Sequence, residues 1–354
     1  MQIERVEVTP VQLSLSKSFR SAKYLKPIKR IEAVFIRAEL VRDYGNAWGC
    51  AVLDPASGKT LEQIKQACQG CADRLREINP LNTQYALAEL SPLMDGYPSV
   101  QCAMDMLLYD LLGLWSGLPL YRLLGGYRDR IKTSITLGID EIPATVENAR
   151  KHARTGFRIL KLKGGLNPEQ DVRRVKAVKR ALPDLTLRLD ADQGYSVREA
   201  LDVARALEGD LEFLEQPTAA DDLPALRQVT ENSTVPILAD ESLRGPASAL
   251  EIVNLRAANG VSTKLSSCGG IDCARQIDTI ARAGHLSTMV GCLNEPALLI
   301  SAGLALALSS PNVRYGDLDG HFDLENDPTM PGFTFEDGWL IATETPGLGC
   351  TVNL

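Results

Sequence analysis

The chain of 354 residues carries 45 acidic and 38 basic side chains, a net charge of −7. With its basic residues clustered only briefly, at Lys23, Lys26, Lys29 and Arg30, it is not expected to bind nucleic acid. The most apolar stretch, ALLISAGLALAL at 297–308, falls short of the roughly twenty residues a membrane span needs, and MQIERVEVTP has charges where a signal peptide would be apolar. A cytoplasmic location is therefore expected, and the scattered cysteines, without a framework spacing, fit a reducing compartment. Cys68 and Cys71 form one CxxC in a helical window with no second pair to complete a zinc site.

In chain order, residues 1–125 open with two strand-like segments, IERVEVTPVQLSL and IEAVFIRAEL, followed by helical windows near 60–78 and 100–115. They read as a separate α+β region. From residue 126 a strand recurs at a nearly constant interval: TSITLG, RILKLK, LTLRLD, LEFLE, VPILAD, VSTKL, LSTMVGC and NVRYGDLD. Helical windows such as PEQDVRRVKAVKRAL, VREALDVARALEG and IDCARQIDTIARAG lie between them. This alternation predicts an α/β fold, a (β/α)8 barrel of the TIM type over 126–320, with ALLISAGLALAL as the last-but-one barrel helix. The segments after Asp319, such as FTFEDGWLIATE, contain no further strand-helix unit, so 321–354 is expected to return to the N-terminal region.

The barrel strands end in charge. Lys163, Asp190, Glu215, Asp240 and Lys264 follow one another at steps of 27, 25, 25 and 24 residues, at the strand ends where such barrels keep their active sites. Three carboxylates on consecutive strands would repel one another unless a hard cation joins them, and magnesium suits an all-oxygen site with open positions. The alternative is that these acids are ion-pair partners of the lysines. Alternation along the strand turns Lys161 and Lys163 inward together, so one of them is expected to lose its proton more easily than a free lysine. Lys163, nearer the open end, is the expected base.

The succession KLK, LDADQGY, EQP, ADES and STKLSSCGGI resembles the enolase superfamily, in its muconate-lactonising branch, and the likeness runs from about residue 98 to the end. That resemblance implies Mg2+ held by Asp190, Glu215 and Asp240, acid/base roles for Lys163 and Lys264, and a capping domain whose loops near 15–30 and 45–60 close over substrate. A carboxylate substrate on the metal would lose its α-proton to one lysine and regain it from the other on the opposite face. Gly291, Cys292 and Leu293 stand where a racemase of the His/Asp type would place a histidine, and His285 falls at the far rim.

Asp317-Leu318-Asp319 resembles the DxD element with which dipeptide epimerases hold a free ammonium group, a contact that muconate or succinylbenzoate would not need. Inversion of the C-terminal residue of a dipeptide, L-Ala-D/L-Glu for one, is the expected activity, and for that substrate it would serve recycling of cell-wall peptides. Lys161, Thr136 and Cys292 join Asp317 and Asp319 as expected substrate contacts, and Arg20, Lys23 and Lys26 as candidates for specificity. Three departures from the family pattern stand out: Asp192 in place of the usual asparagine, Cys50 in place of a common glutamate, and a long early loop, SFRSAKYLKPIKR. Other activities on the same scaffold are o-succinylbenzoate synthase, N-acylamino acid racemase and muconate cycloisomerase. A Schiff-base aldolase is an alternative of a different class, and a homo-oligomer is compatible with the sequence.

Overall fold

The computed structural model describes residues 3–24, 26–40 and 45–354; Met1 and Gln2 of the N-terminal segment and Leu25 of the early loop lie outside them. Eight parallel strands follow one another around a single sheet: Ile135–Leu137, Ile159–Lys163, Thr186–Asp190, Leu211–Glu215, Ile237–Ala239, Gly260–Lys264, Ser287–Gly291 and Val313–Gly316. A bridge between Thr133 and Gly316 brings the two edges together, and the Ser134 N–H donates to the Gly316 carbonyl at 3.2 Å. The sheet thus forms the expected barrel. Register keeps the rim charges level, with Lys163 beside Asp190 and Asp190 beside Glu215.

Period-two alternation explains what lies below that rim. Two residues back from Glu215, Asp240, Gly291 and Asp317 stand Phe213, Leu238, Met289 and Tyr315, which pack together inside the barrel. Arg188, two back from Asp190, lays its guanidinium 4.9 Å from the Phe213 ring and 5.4 Å from the Tyr315 ring. The barrel interior beneath the charges is therefore solid. The outward residues Leu160, Leu162, Leu187 and Leu189 pack instead under the helices.

Those helices begin where local chemistry dictates. Asn167 accepts from the Gln170 N–H at the start of Pro168–Ala181, Ser196 and Glu199 form a capping box on Val197–Ala206, and Asp222 caps Leu223–Asn232. Ala297–Ser309 holds the apolar stretch and follows the seventh strand. It is the last barrel helix and not the last-but-one, because the chain after the eighth strand forms turns and then short strands. No described helix is long and apolar enough to cross a membrane.

The N-terminal region is a three-stranded antiparallel sheet, Ile3–Phe19, Ile28–Leu40 and Asn46–Val52, with helices Leu61–Leu75, Thr83–Met94 and Pro98–Ser116. Val34, Ile36 and Ala38 face these helices, while Ala33 and Phe35 join the core shared with the barrel. The strand Asn46–Val52 corrects the reading of a loop from residue 45. NAWGCAV is buried on both faces and so shows no alternation, and its Gly49 is present for packing: a Cβ there would stand 2.1 Å from the Ala103 carbonyl oxygen. Cys50 is buried in this strand, and Cys68 and Cys71 are buried in the first helix.

The C-terminal tail touches both regions. Ser16 N–H donates to the Asp323 carbonyl at 2.8 Å and Glu325 N–H to that of Ser14 at 3.0 Å, adding the tail to the edge of the first strand. Buried Asp110 accepts from the N–H groups of Trp48 and Leu348, at 2.8 and 2.7 Å, tying helix, cap strand and tail together. The hairpin Phe333–Glu336 and Trp339–Ala342 pairs instead with Arg130–Lys132, ahead of the first barrel strand.

Candidate active site

Asp190, Glu215 and Asp240 each offer an oxygen within 4.8 Å of the others, and their exposures are 0, 0 and 5%. Local structure fixes them there. Gln216 accepts from the Asp240 and Ser242 N–H groups at 2.8 and 3.1 Å, and the Asp192 N–H donates to Asp190 Oδ1 at 3.1 Å. Asp192, Gln193 and Gln216 all take positive φ (43°, 70° and 34°), backbone strain concentrated just past two of the strands that carry the acids. Gly165 permits a close crossing, since a Cβ would fall 2.0 Å from the Ala191 carbonyl oxygen.

Both oxygens of Glu215 lack a hydrogen bond of good geometry, although Lys161 Nζ stands 2.7 Å from one of them. Burial and the neighbouring Asp190 push the Glu215 carboxyl up to about 8. A buried, all-oxygen cluster with more negative charge than it can comfortably hold fits a hard divalent cation. The three acids can hold one, and the ion-pair alternative also has substance, because the lysines are their counter-ions in this structure.

Lys161 occupies the floor of the site, with Asp190, Glu215 and Asp317 oxygens at 2.9, 2.7 and 2.7 Å. Lys163 lies 2.8 Å from both Asp190 and Asp192, and Lys264 pairs with Asp240. The carboxylates around the lysines work against the expectation of an easily deprotonated lysine. Burial would lower all three, but Asp190 with Asp317 and Glu215 outweighs it at Lys161, Asp190 with Asp192 at Lys163, and Asp240 with Glu241 at Lys264. All three are held above the usual lysine range. Two adjacent lysines were visible in the sequence, while the carboxylates that surround them come from other strands.

Lys163 and Lys264, on the second and sixth strands, face each other across the mouth and both line its cavity. The eighth strand, diametrically opposite the fourth, delivers Asp317 and Asp319. Asp317 is engaged by Lys161 and by the Ser134 hydroxyl. Asp319 accepts from the Thr136 N–H at 2.6 Å and from the Cys292 thiol at 3.4 Å, and burial together with Asp317 pushes its carboxyl up to about 7. Thr136, Cys292 and both aspartates line the cavity, as their sequence positions suggested.

The early loop is placed differently from expectation. Arg20 and Lys26 are exposed and do not line the cavity. Lys23 does line it, but its ammonium is paired with Asp54 at 3.0 Å, and the Tyr24 hydroxyl donates to the other Asp54 oxygen at 2.7 Å. Asp54 thus clasps the early loop to the segment after the third strand, a contact across about thirty residues that local sequence does not advertise. Glu241 was also missed. It lines the cavity, neither of its oxygens has a hydrogen-bond partner, and burial with Asp240 pushes it up to about 7. Its place directly after Asp240 was the available signal, but the strand ends at Ala239, so alternation says nothing about where it points.

Residues 144–354 match the family model described as Enolase C-terminal domain-like. Among curated relatives, the chain is 36% identical over 360 residues to the L-Lys-D/L-Arg epimerase of Methylococcus capsulatus, covering 99% of each protein. The L-Ala-D/L-Glu epimerase of Bacillus subtilis, solved as a substrate-liganded complex, superposes with a TM-score of 0.94 at 31% identity over 100% of both chains. The dipeptide epimerase of Enterococcus faecalis, solved with Mg and the dipeptide L-Leu-L-Tyr, gives a TM-score of 0.92 at 32% identity, covering 99% of this chain and 100% of that one. This chain belongs to the enolase superfamily.

Proposed function

We propose that the protein is a magnesium-dependent isomerase that inverts the α-carbon of the C-terminal residue of a dipeptide. One observation carries the proposal: Lys163 and Lys264 oppose each other, with the acids of the third to fifth strands on one side of the line between them and Asp317 and Asp319 on the other. A dipeptide has a carboxylate at one end and an ammonium at the other, and it fits between the two acidic groups in only one direction. A cation on Asp190, Glu215 and Asp240 would supply positive charge for the substrate carboxylate and for the enediolate that follows proton loss. Lys163 removes or returns the proton on one face of the carbon and Lys264 does so on the other. Lys161, on the floor, keeps an ammonium beside the developing oxyanion. Asp319 receives the substrate ammonium, with Asp317 beside it and Thr136 and Cys292 orienting its carboxylate.

In this scheme residues 1–125 cap a catalytic barrel of 126–320, and 321–354 returns to the cap. The bonds from Ser14 and Ser16 to the tail support that division. A cytoplasmic location belongs to the same reading, supported by eight free cysteines. Cell-wall peptide recycling follows only for a substrate with a glutamate side chain. An N-acylated amino acid, the alternative on this scaffold, would bring no ammonium to Asp317 and Asp319. The test is α-deuterium incorporation from heavy water into free and N-acetylated dipeptides, with magnesium and after chelation. Metal-dependent exchange confined to free dipeptides is expected, and faster exchange of acylated substrates would defeat the proposal.

A further inference from the structure

We propose that the residue being epimerised carries an apolar side chain, held against the cap by Phe19, Ile28, Ile31, Val52, Leu53 and Pro55. This rests on the epimerase reading and narrows its substrate class. When the α-proton has left, the carbon is planar, and its three remaining substituents share one plane. With Lys163 and Lys264 above and below that plane, the carboxylate points toward the acids of strands three to five and the peptide nitrogen toward Asp317 and Asp319. The side chain is left with the barrel axis. Downward, that axis is filled by Lys161 and by the packed layer of Arg188, Phe213, Leu238, Met289 and Tyr315. Upward it meets the cap.

The cap wall of the cavity is apolar at the six positions named, and among the described residues its polar members are Lys23 and Tyr24. Asp54 already uses one oxygen on Lys23 and the other on Tyr24 and the Ala56 N–H. A glutamate side chain placed here would have to take Lys23 from Asp54, leaving that carboxylate without its cation. A lysine or arginine side chain would meet no carboxylate among the described cap residues that line the cavity; Asp323, which also lines it, comes from the tail. An apolar side chain requires no such exchange and covers the part of this wall still open to water, at Phe19, Ile28, Leu53 and Pro55.

The test measures kcat/KM by α-deuterium exchange for L-Ala-L-Leu, L-Ala-L-Met and L-Ala-L-Phe against L-Ala-L-Glu, L-Ala-L-Lys and L-Ala-L-Arg. The best apolar substrate should exceed every charged one by about 100-fold, the scale on which a pocket discriminates by unpaired charge and lost contact. The variant Ile28→Arg, at a half-buried wall position, should raise the ratio of L-Ala-L-Glu to L-Ala-L-Leu by about tenfold or more. Faster turnover of a glutamate, lysine or arginine dipeptide than of every apolar one overturns the inference and leaves the epimerase reading intact. Absence of exchange with all six overturns both. An unaltered preference in folded Ile28→Arg enzyme overturns the assignment of the cap wall.

Discussion

The barrel rim and the cap wall enclose the same cavity but are made in opposite ways. On the rim, each functional charge ends or closely follows its own strand, and the backbone register places Lys163, Asp190 and Glu215 side by side, so position along the chain is nearly position around the ring. On the cap, the wall is assembled from the end of one strand, a loop, the start of the next strand and the end of a third, brought together by the antiparallel sheet and the Asp54 clasp. Chemistry common to many reactions can be built on a regular scaffold. Discrimination between substrates is left to the irregular part, where changing one side chain does not disturb the catalytic ring.

The largest effects should come from the rim. Lys163→Ala and Lys264→Ala should each lower epimerisation by about 10²–10⁴-fold, the usual contribution of a positioned acid or base, while each variant retains α-proton exchange for one epimer through the surviving lysine. Deuterium exchange followed separately for the two epimers checks this, and full epimerisation by either variant would sink the two-base scheme. No cap substitution should show such a split.

His321 sharpens the comparison from the tail. Its Nδ1 is buried without a partner, its ring packs against Phe322 and Phe333, and burial depresses its pKa to about 4. The unfolded chain takes up this proton near pH 6.5 and the folded chain only near 4, so stability is full above 6.5 and falls as pH drops between those values. From pH 7 to pH 5 the loss should be about 2 kcal/mol. Urea midpoints at the two pH values should show it, and His321→Phe should remove that part of the dependence.

Asp319→Asn should cost at least about tenfold in kcat/KM, since a charge-assisted contact contributes about 1.5–3 kcal/mol. The pH profile gives a second readout. With Asp319 raised to about 7 in the free protein, kcat/KM should fall as pH drops through 7 and the carboxylate gains a proton, and in Asp319→Asn that limb should flatten. A limb unchanged in the variant would assign the titration to another group.

The smallest effect is expected at the clasp. Asp54→Ala should raise KM by roughly threefold with little change in kcat, because a half-buried ion pair of this kind contributes about 0.5–1 kcal/mol. It should also improve dipeptides with an acidic side chain relative to apolar ones, since Lys23 is released. A large fall in kcat would mean that the cap takes part in the chemistry and not only in selection.

The amino-acid sequence by itself determined the barrel, its eight strands and the ring of Lys163, Asp190, Glu215, Asp240 and Lys264, because a parallel strand-helix repeat converts a regular interval into a regular ring. The strand Asn46–Val52 was not legible, because burial on both faces erases the alternation that marks a strand. Only the tertiary structure decided that Lys161 lies between three carboxylates, that Lys23 is committed to Asp54, and that Arg20 and Lys26 stay in solvent. The physical reason is the same throughout: the charge state and availability of a side chain depend on groups contributed by distant segments, and no local pattern records which of those groups will meet.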